Sequence, residues 1–144
     1  MEEGWIVRER LALSCKGSHV ALHAAEKSAT VIGVPQCIAI VDAGGDLLAF
    51  SRMDGARPGS IEIAITKARS AARRRRATSD EAGGDVLATV RLGLASQLNV
   101  TGIGGGLPIV VEGQTIGGIG VSSGTMDEDT VVARAGLAAL VGER

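Results

Sequence analysis

Gln36-Cys37-Ile38-Ala39-Ile40-Val41-Asp42-Ala43-Gly44-Gly45-Asp46-Leu47-Leu48-Ala49-Phe50-Ser51-Arg52 decides the fold class. Gln36–Val41 reads as a buried strand, with Cys37–Val41 an unbroken apolar run. Asp42–Asp46 holds the Asp and Gly residues that a tight turn requires, and Leu47–Arg52 returns as a second strand. A tight turn between two strands means antiparallel pairing. A second hairpin follows the same logic, with Leu107–Val111 and Thr115–Val121 flanking Glu112-Gly113-Gln114. Between and around the hairpins the period changes to helical. Ser14 caps a helix reaching about Ile32, with Gly33 and Pro35 as stop signals. Ser60 caps a helix over Ile61–Arg74 with a stripe of Ile61, Ala64, Ile65, Ala68 and Ala72. Thr78 and Glu81 have capping-box spacing, interrupted early by Gly83-Gly84. Asp85–Gln97 reads as a helix with Leu87, Val90, Leu94 and Leu98 on one side. Thr125 and Glu128 form a capping box for a last helix reaching about Val141. Val7–Leu13 alternates and reads as a short first strand. The order predicts an α+β fold, a single-layer antiparallel sheet flanked by helices.

The length of 144 residues points to one domain spanning 1–144. One Trp, one Phe and no Tyr stand against 21 Gly. That excludes readers of nucleic acid that stack bases on aromatic platforms. The core must come from Ala, Val, Ile and Leu, which bury little area each, so burial between subunits is expected. A net charge of −1 gives no reason for a polyanionic partner. The run Arg73–Arg76 reads as a solvated helix terminus near the negative end of the dipole, with an anion site as the alternative. No signal sequence and no membrane span is recognisable, and Cys15 and Cys37 are too few for a disulfide scaffold, which points to the cytoplasm.

Several constellations can carry chemistry. Gly102-Ile103-Gly104-Gly105-Gly106-Leu107 fails G-x-G-x-x-G, because Leu107 takes the last Gly position and a strand follows, not a helix. The glycines read instead as a close backbone approach to another chain or to a flat ligand, which makes Gly105, Gly106 and Leu107 candidate contacts. His19 and His23 are four apart on one helix face and are the candidate metal ligands. Arg52, Asp54 and Arg57 follow the first hairpin, with Glu62 and Lys67 in the next helix. Arg52, Arg57 or Lys67 can hold an anionic ligand, while Asp54, Glu62 or His23 can move a proton.

Four stretches together resemble the GlcG/HbpS-like haem-binding family, which includes the C-terminal domain of PduO-type proteins. They are Ile32–Pro35, Ile40–Ala56, Pro58–Ala71, and Gly105–Ile109 with Ile116–Gly124. They span roughly residues 10–141 in the family's order. The resemblance implies a profilin-like layered α+β domain that forms homo-oligomers, from dimers up to octamers. It implies haem binding, in some members a role near corrinoids, and a first-helix His as axial ligand, which His19 or His23 can fill here. Secreted relatives carry a signal peptide that this sequence lacks. The Arg73–Arg76 run departs from the shorter, more apolar segment usual there. Three functions stay open. The first is a cytoplasmic binder of haem, a related tetrapyrrole or a small anionic ligand. The second is a small catabolic isomerase, hydratase or hydrolase acting on an unsaturated or hydroxylated acid. The third is a non-catalytic assembly protein.

Overall fold

The computed structural model describes residues 3–7, 10–81, 83 and 85–142. Helix α1 (Cys15–Ile32) begins at Ser14, whose Oγ accepts from the Gly17 amide at 3.0 Å. It ends at Gly33, whose φ of 72° lets its N–H turn back onto the Ala29 and Thr30 carbonyls. Strands β1 (Cys37–Asp42) and β2 (Leu47–Arg52) form the first hairpin. Asp42 Oδ1 fixes its turn by accepting from the Gly44 and Asp46 amides, both at 3.0 Å. Helix α2 (Ser60–Arg74) is followed by a single 3₁₀ turn over Thr78–Asp80 and by helix α3 (Val86–Ala95). Strands β3 (Gly106–Val111) and β4 (Gln114–Ser122) are joined by Glu112-Gly113, both at positive φ, as a two-residue hairpin loop requires. Helix α4 (Met126–Val141) starts with the complete Thr125/Glu128 capping box.

The four strands form one antiparallel sheet in the order β2-β1-β4-β3. The long hairpin-to-hairpin connection therefore brings β4, not β3, beside β1. Helices α1 and α4 cover one face and α2 covers the other, giving three layers. Alternation in β1 shows why both faces are closed. Ile38 and Ile40 enter the core under α1 and α4, while Cys37, Ala39 and Val41 meet Ala64, Ala68 and Ala72 of α2.

The glycines of β4 set the distance of α2. A Cβ at Gly118 would fall on the Ala68 carbonyl, and one at Gly120 on the Ala64 carbonyl and the Ala68 amide. The helix backbone thus lies directly on the strand, and the small stripe of α2 is what permits it.

Four expectations change. Residues 10–14 form no strand, and residues 8 and 9 of the expected first strand lie outside the described residues; Leu11 N–H donates to Gln114 Oε1 at 3.1 Å instead. Ser60 is the first residue of α2, not its cap; Gly59 caps it without a side-chain bond, and Ser60 N–H donates to the Arg57 carbonyl. Thr78 and Glu81 form no capping box. Thr78 Oγ1 accepts from the Gly106 amide at 3.0 Å, and the Glu81 carboxylate turns back to Arg74 at 2.8 Å. The close approach at Gly105 and Gly106 is made by the chain's own atoms, the Val121 carbonyl of β4 and the Asp129 and Lys67 side chains at Gly105, and the α2 backbone with Thr78 at Gly106. A Cβ at Gly106 would lie 2.6 Å from the Lys67 carbonyl, and both glycines are buried.

Candidate functional site

The acid-base candidates sit on the surface. Arg52 ends β2, Asp54 and Arg57 lie in the loop after it, and Glu62 is in the first turn of α2; all four are exposed. Arg57 is committed to structure, its N–H donating to Ser123 Oγ at 3.0 Å and its Nη2 to the Ser123 carbonyl at 3.1 Å. Arg52 and Glu62 do come together around Cys37. Burial, the dominant influence, raises its thiol pKa, with Arg52 lowering it and Glu62 raising it. A buried thiol so held is a poor nucleophile.

Lys67, expected to face a ligand, is inside the molecule. Its ammonium donates to the Val121 carbonyl at 2.7 Å and to Asp129 Oδ2 at 3.0 Å, with both side chains almost fully buried. Asp129 Oδ1 in turn accepts from the Gly124 amide at 2.9 Å. Desolvation lowers the Lys67 pKa, against the opposing pull of Asp129. Gly105 makes room for this bridge, since a Cβ there would lie 2.9 Å from Asp129 Cβ and 3.0 Å from Lys67 Nζ. Sequence reasoning missed Asp129, which lies 62 residues from its partner. The one local signal was an acidic residue in the first turn of α4 beyond those the capping box uses.

His19 and His23 occupy the outer face of α1, both exposed, with ring centroids 5.9 Å apart and planes tilted by 40°. Lys16 and Lys27 are exposed on the same helix, three residues before His19 and four after His23, so they flank the imidazoles. Val20 beside them is 42% exposed. Among the described residues no group of three or more His, Cys, Asp or Glu side chains can hold a bare metal ion. The loop cations lie elsewhere. Arg52 pairs in register with Cys37, beyond the C-terminal end of α1. Nine residues of helix, about 13 Å, separate His23 from that end.

A third feature was not anticipated. A cleft of 650 Å³ runs between the β3 edge and α4, walled by Leu107, Pro108, Val110, Val131, Leu137 and Val141. Ser28 and Arg134 supply its polar side chains. Of the residues expected to touch a ligand, only Leu107 lines it. Its signal was one Arg in an otherwise small and apolar helical stretch, with Val131, Arg134, Ala135 and Ala138 at helical spacing. The Arg73–Arg76 run is partly structural: Arg73 Nε donates to the Gly44 carbonyl at 2.7 Å, and Arg74 pairs with Glu81.

The family model described as "Haem degrading protein HbpS-like" matches residues 13–138. The chain belongs to the HbpS-like family. Protein GlcG of Escherichia coli K12 is 35% identical to this HbpS-like chain over 116 residues, covering 81% of it and 85% of GlcG. The crystal structure of protein ORFY of Klebsiella pneumoniae superposes with a TM-score of 0.87 at 31% identity, over 97% of this chain and 96% of the other. A crystal structure of a PduOC:haem complex superposes with a TM-score of 0.83 at 32% identity, over 90% and 95% of the two chains. No helix among the described residues is long and apolar enough to cross a membrane.

Proposed function

We propose that this chain is a cytoplasmic, single-domain homo-oligomer that binds haem, with His19 or His23 supplying the axial imidazole. The observation that carries the reading is the haem complex of a relative 32% identical over nine-tenths of this chain. The residues present fit the group. Haem needs only one or two axial donors, and an exposed pair of imidazoles on one helix face is such a set. When bound, haem supplies an iron whose axial positions accept a neutral ring nitrogen. The rest falls to this chain's own side chains. Lys16 and Lys27 are free of any carboxylate within ion-pair distance among the described residues and flank the imidazoles, so they take the propionates in place of the engaged Arg57. Val20 offers an apolar contact for the ring. The glycines at 104–106, buried under the chain's own atoms, take no part. Titration of ferric haem into the purified chain, followed by visible absorption, is expected to give a saturable, shifted Soret band at one haem per chain or per pair of chains. A spectrum equal to that of haem in buffer at all protein concentrations overturns the proposal.

The cleft supports a second reading, the binding of a small apolar carboxylate. Its walls are aliphatic, and Arg134 can pair one carboxylate. Among the described residues no carboxylate or imidazole lines it, so it suits binding rather than proton transfer. An Arg134→Met variant should then bind an aromatic or unsaturated carboxylate at least about tenfold more weakly, as expected for one lost charge-assisted hydrogen bond. Its Soret band should not change. Equal binding by both proteins removes this reading.

A further inference from the structure

Helix α3 is built as if for burial, yet it is exposed. Val86, Leu87, Val90 and Leu94, with Leu98 just beyond the helix, are between 51% and 73% exposed. Gly93 is the one residue of α3 that is buried. No other element of the described chain packs extensively on it. The turn that follows is strained. Gln97 and Leu98 are consecutive non-glycine residues in the left-handed region, at φ 57° and 63°, held by the Leu98 amide donating to the Gly93 carbonyl at 2.7 Å. Such conformations persist where surrounding packing over-determines them. Leu98 is 69% exposed, so this chain's own atoms do not supply that packing.

We propose that α3 and the turn after it are the surface on which a second copy of this chain docks, α3 against α3. This rests on the reading of the chain as a homo-oligomer and names the surface that makes it one. Leu87, Val90 and Leu94 recur within α3 at spacings of three and four, the pattern with which one helix seats against another, and Leu98 in the turn after it adds a further exposed apolar side chain. Arg91 lies at the flank of the stripe, and no acidic side chain falls between Val86 and Leu98 to select a differently charged partner. A two-fold axis across the stripe presents the same apolar residues from both copies.

The area is sufficient. A Val or Leu side chain carries about 60–120 Å² of apolar surface, so these five with the neighbouring Ile103 expose roughly 350 Å² per copy. At an apolar share of about 65% the paired interface comes to about 1,000 Å² in total, the lower limit for a specific one.

Sedimentation velocity of the full chain at tens of micromolar decides the matter, alongside Leu94→Glu and Leu94→Ser with circular dichroism to check folding. The wild type is expected to sediment as a dimer or a multiple of one. Both variants should stay folded and lose at least one doubling step, with the dissociation constant raised at least 100-fold. Wild type and variants assembling equally would overturn the α3 surface and leave the homo-oligomer reading standing. A monomeric wild type would overturn both. A Val90→Cys variant in a Cys15→Ser background supplies the second measurement: oxidation is expected to link two copies, and assembly without that link excludes the α3-to-α3 pairing.

Discussion

Lys67 is the residue whose environment departs furthest from what its type suggests. An ammonium taken out of water needs a partner and a carbonyl, and Asp129 and Val121 supply them. Removing one partner leaves a buried charge alone. Asp129→Ala is therefore expected to cost about 3–5 kcal/mol in urea denaturation, and a loss under 1 kcal/mol would show the pair to be dispensable. The pH dependence follows from the direction of the shift. Desolvation holds Lys67 below 10.5, so the folded chain binds fewer protons than the unfolded chain in the window just beneath that value. This group's contribution to stability is then constant and lowest below the folded pKa, and it rises with pH through the window up to 10.5. Lys67→Met should remove that upward slope from denaturation midpoints measured across the alkaline range; an unchanged slope would assign it elsewhere. The residue was legible as a cation on α2, one position from the apolar stripe. Its burial was not, because Asp129 is remote in sequence and only the folded sheet brings the two together.

At the scale of elements, local chemistry was read well wherever it closes on itself. The Ser14 and Thr125 caps, the Gly33 stop and both hairpin turns use partners within a few residues. The capping failures were of two kinds, a helix start displaced by one residue at Ser60 and side chains drawn to partners other than the local cap. Thr78 Oγ1 accepts from the amide of Gly106, 28 residues away, so the expected capping box never forms. Glu81, its expected partner, is drawn to Arg74. The close approach read in sequence at Gly105 and Gly106 is real but internal, and the glycines of β4, which carry the tightest contact with α2, were not singled out. Gly120→Ala puts a methyl group into the Ala64 carbonyl and must push α2 off the sheet. Thermal or urea denaturation should show a loss of about 3 kcal/mol or more, at the upper end for overpacked cores. A variant as stable as the wild type would mean that the helix can shift freely on the strand.

For the whole molecule, the α+β class and the antiparallel hairpins were legible, while the strand order β2-β1-β4-β3 was not, since no local pattern says which hairpin strands become neighbours. The same limit explains the candidate site. The sequence offered imidazoles, loop cations and a glycine run as candidate ligand contacts. The fold separates them, with the imidazoles on the outside of α1, Arg52 past its far end, the glycines sealed under the chain's own atoms, and an apolar cleft on the β3 side. Of these places only the α1 face carries a donor suited to an iron. The α3 stripe was likewise visible as a periodic apolar side; that it faces away from the core follows only once α2 has taken the sheet face. The most direct test of the account is the Soret spectrum of ferric haem with the His19→Ala/His23→Ala variant beside the wild type, both shown folded by circular dichroism. Loss of the shifted, saturable band in the variant is the predicted result, and an unchanged band in both would contradict axial ligation from α1.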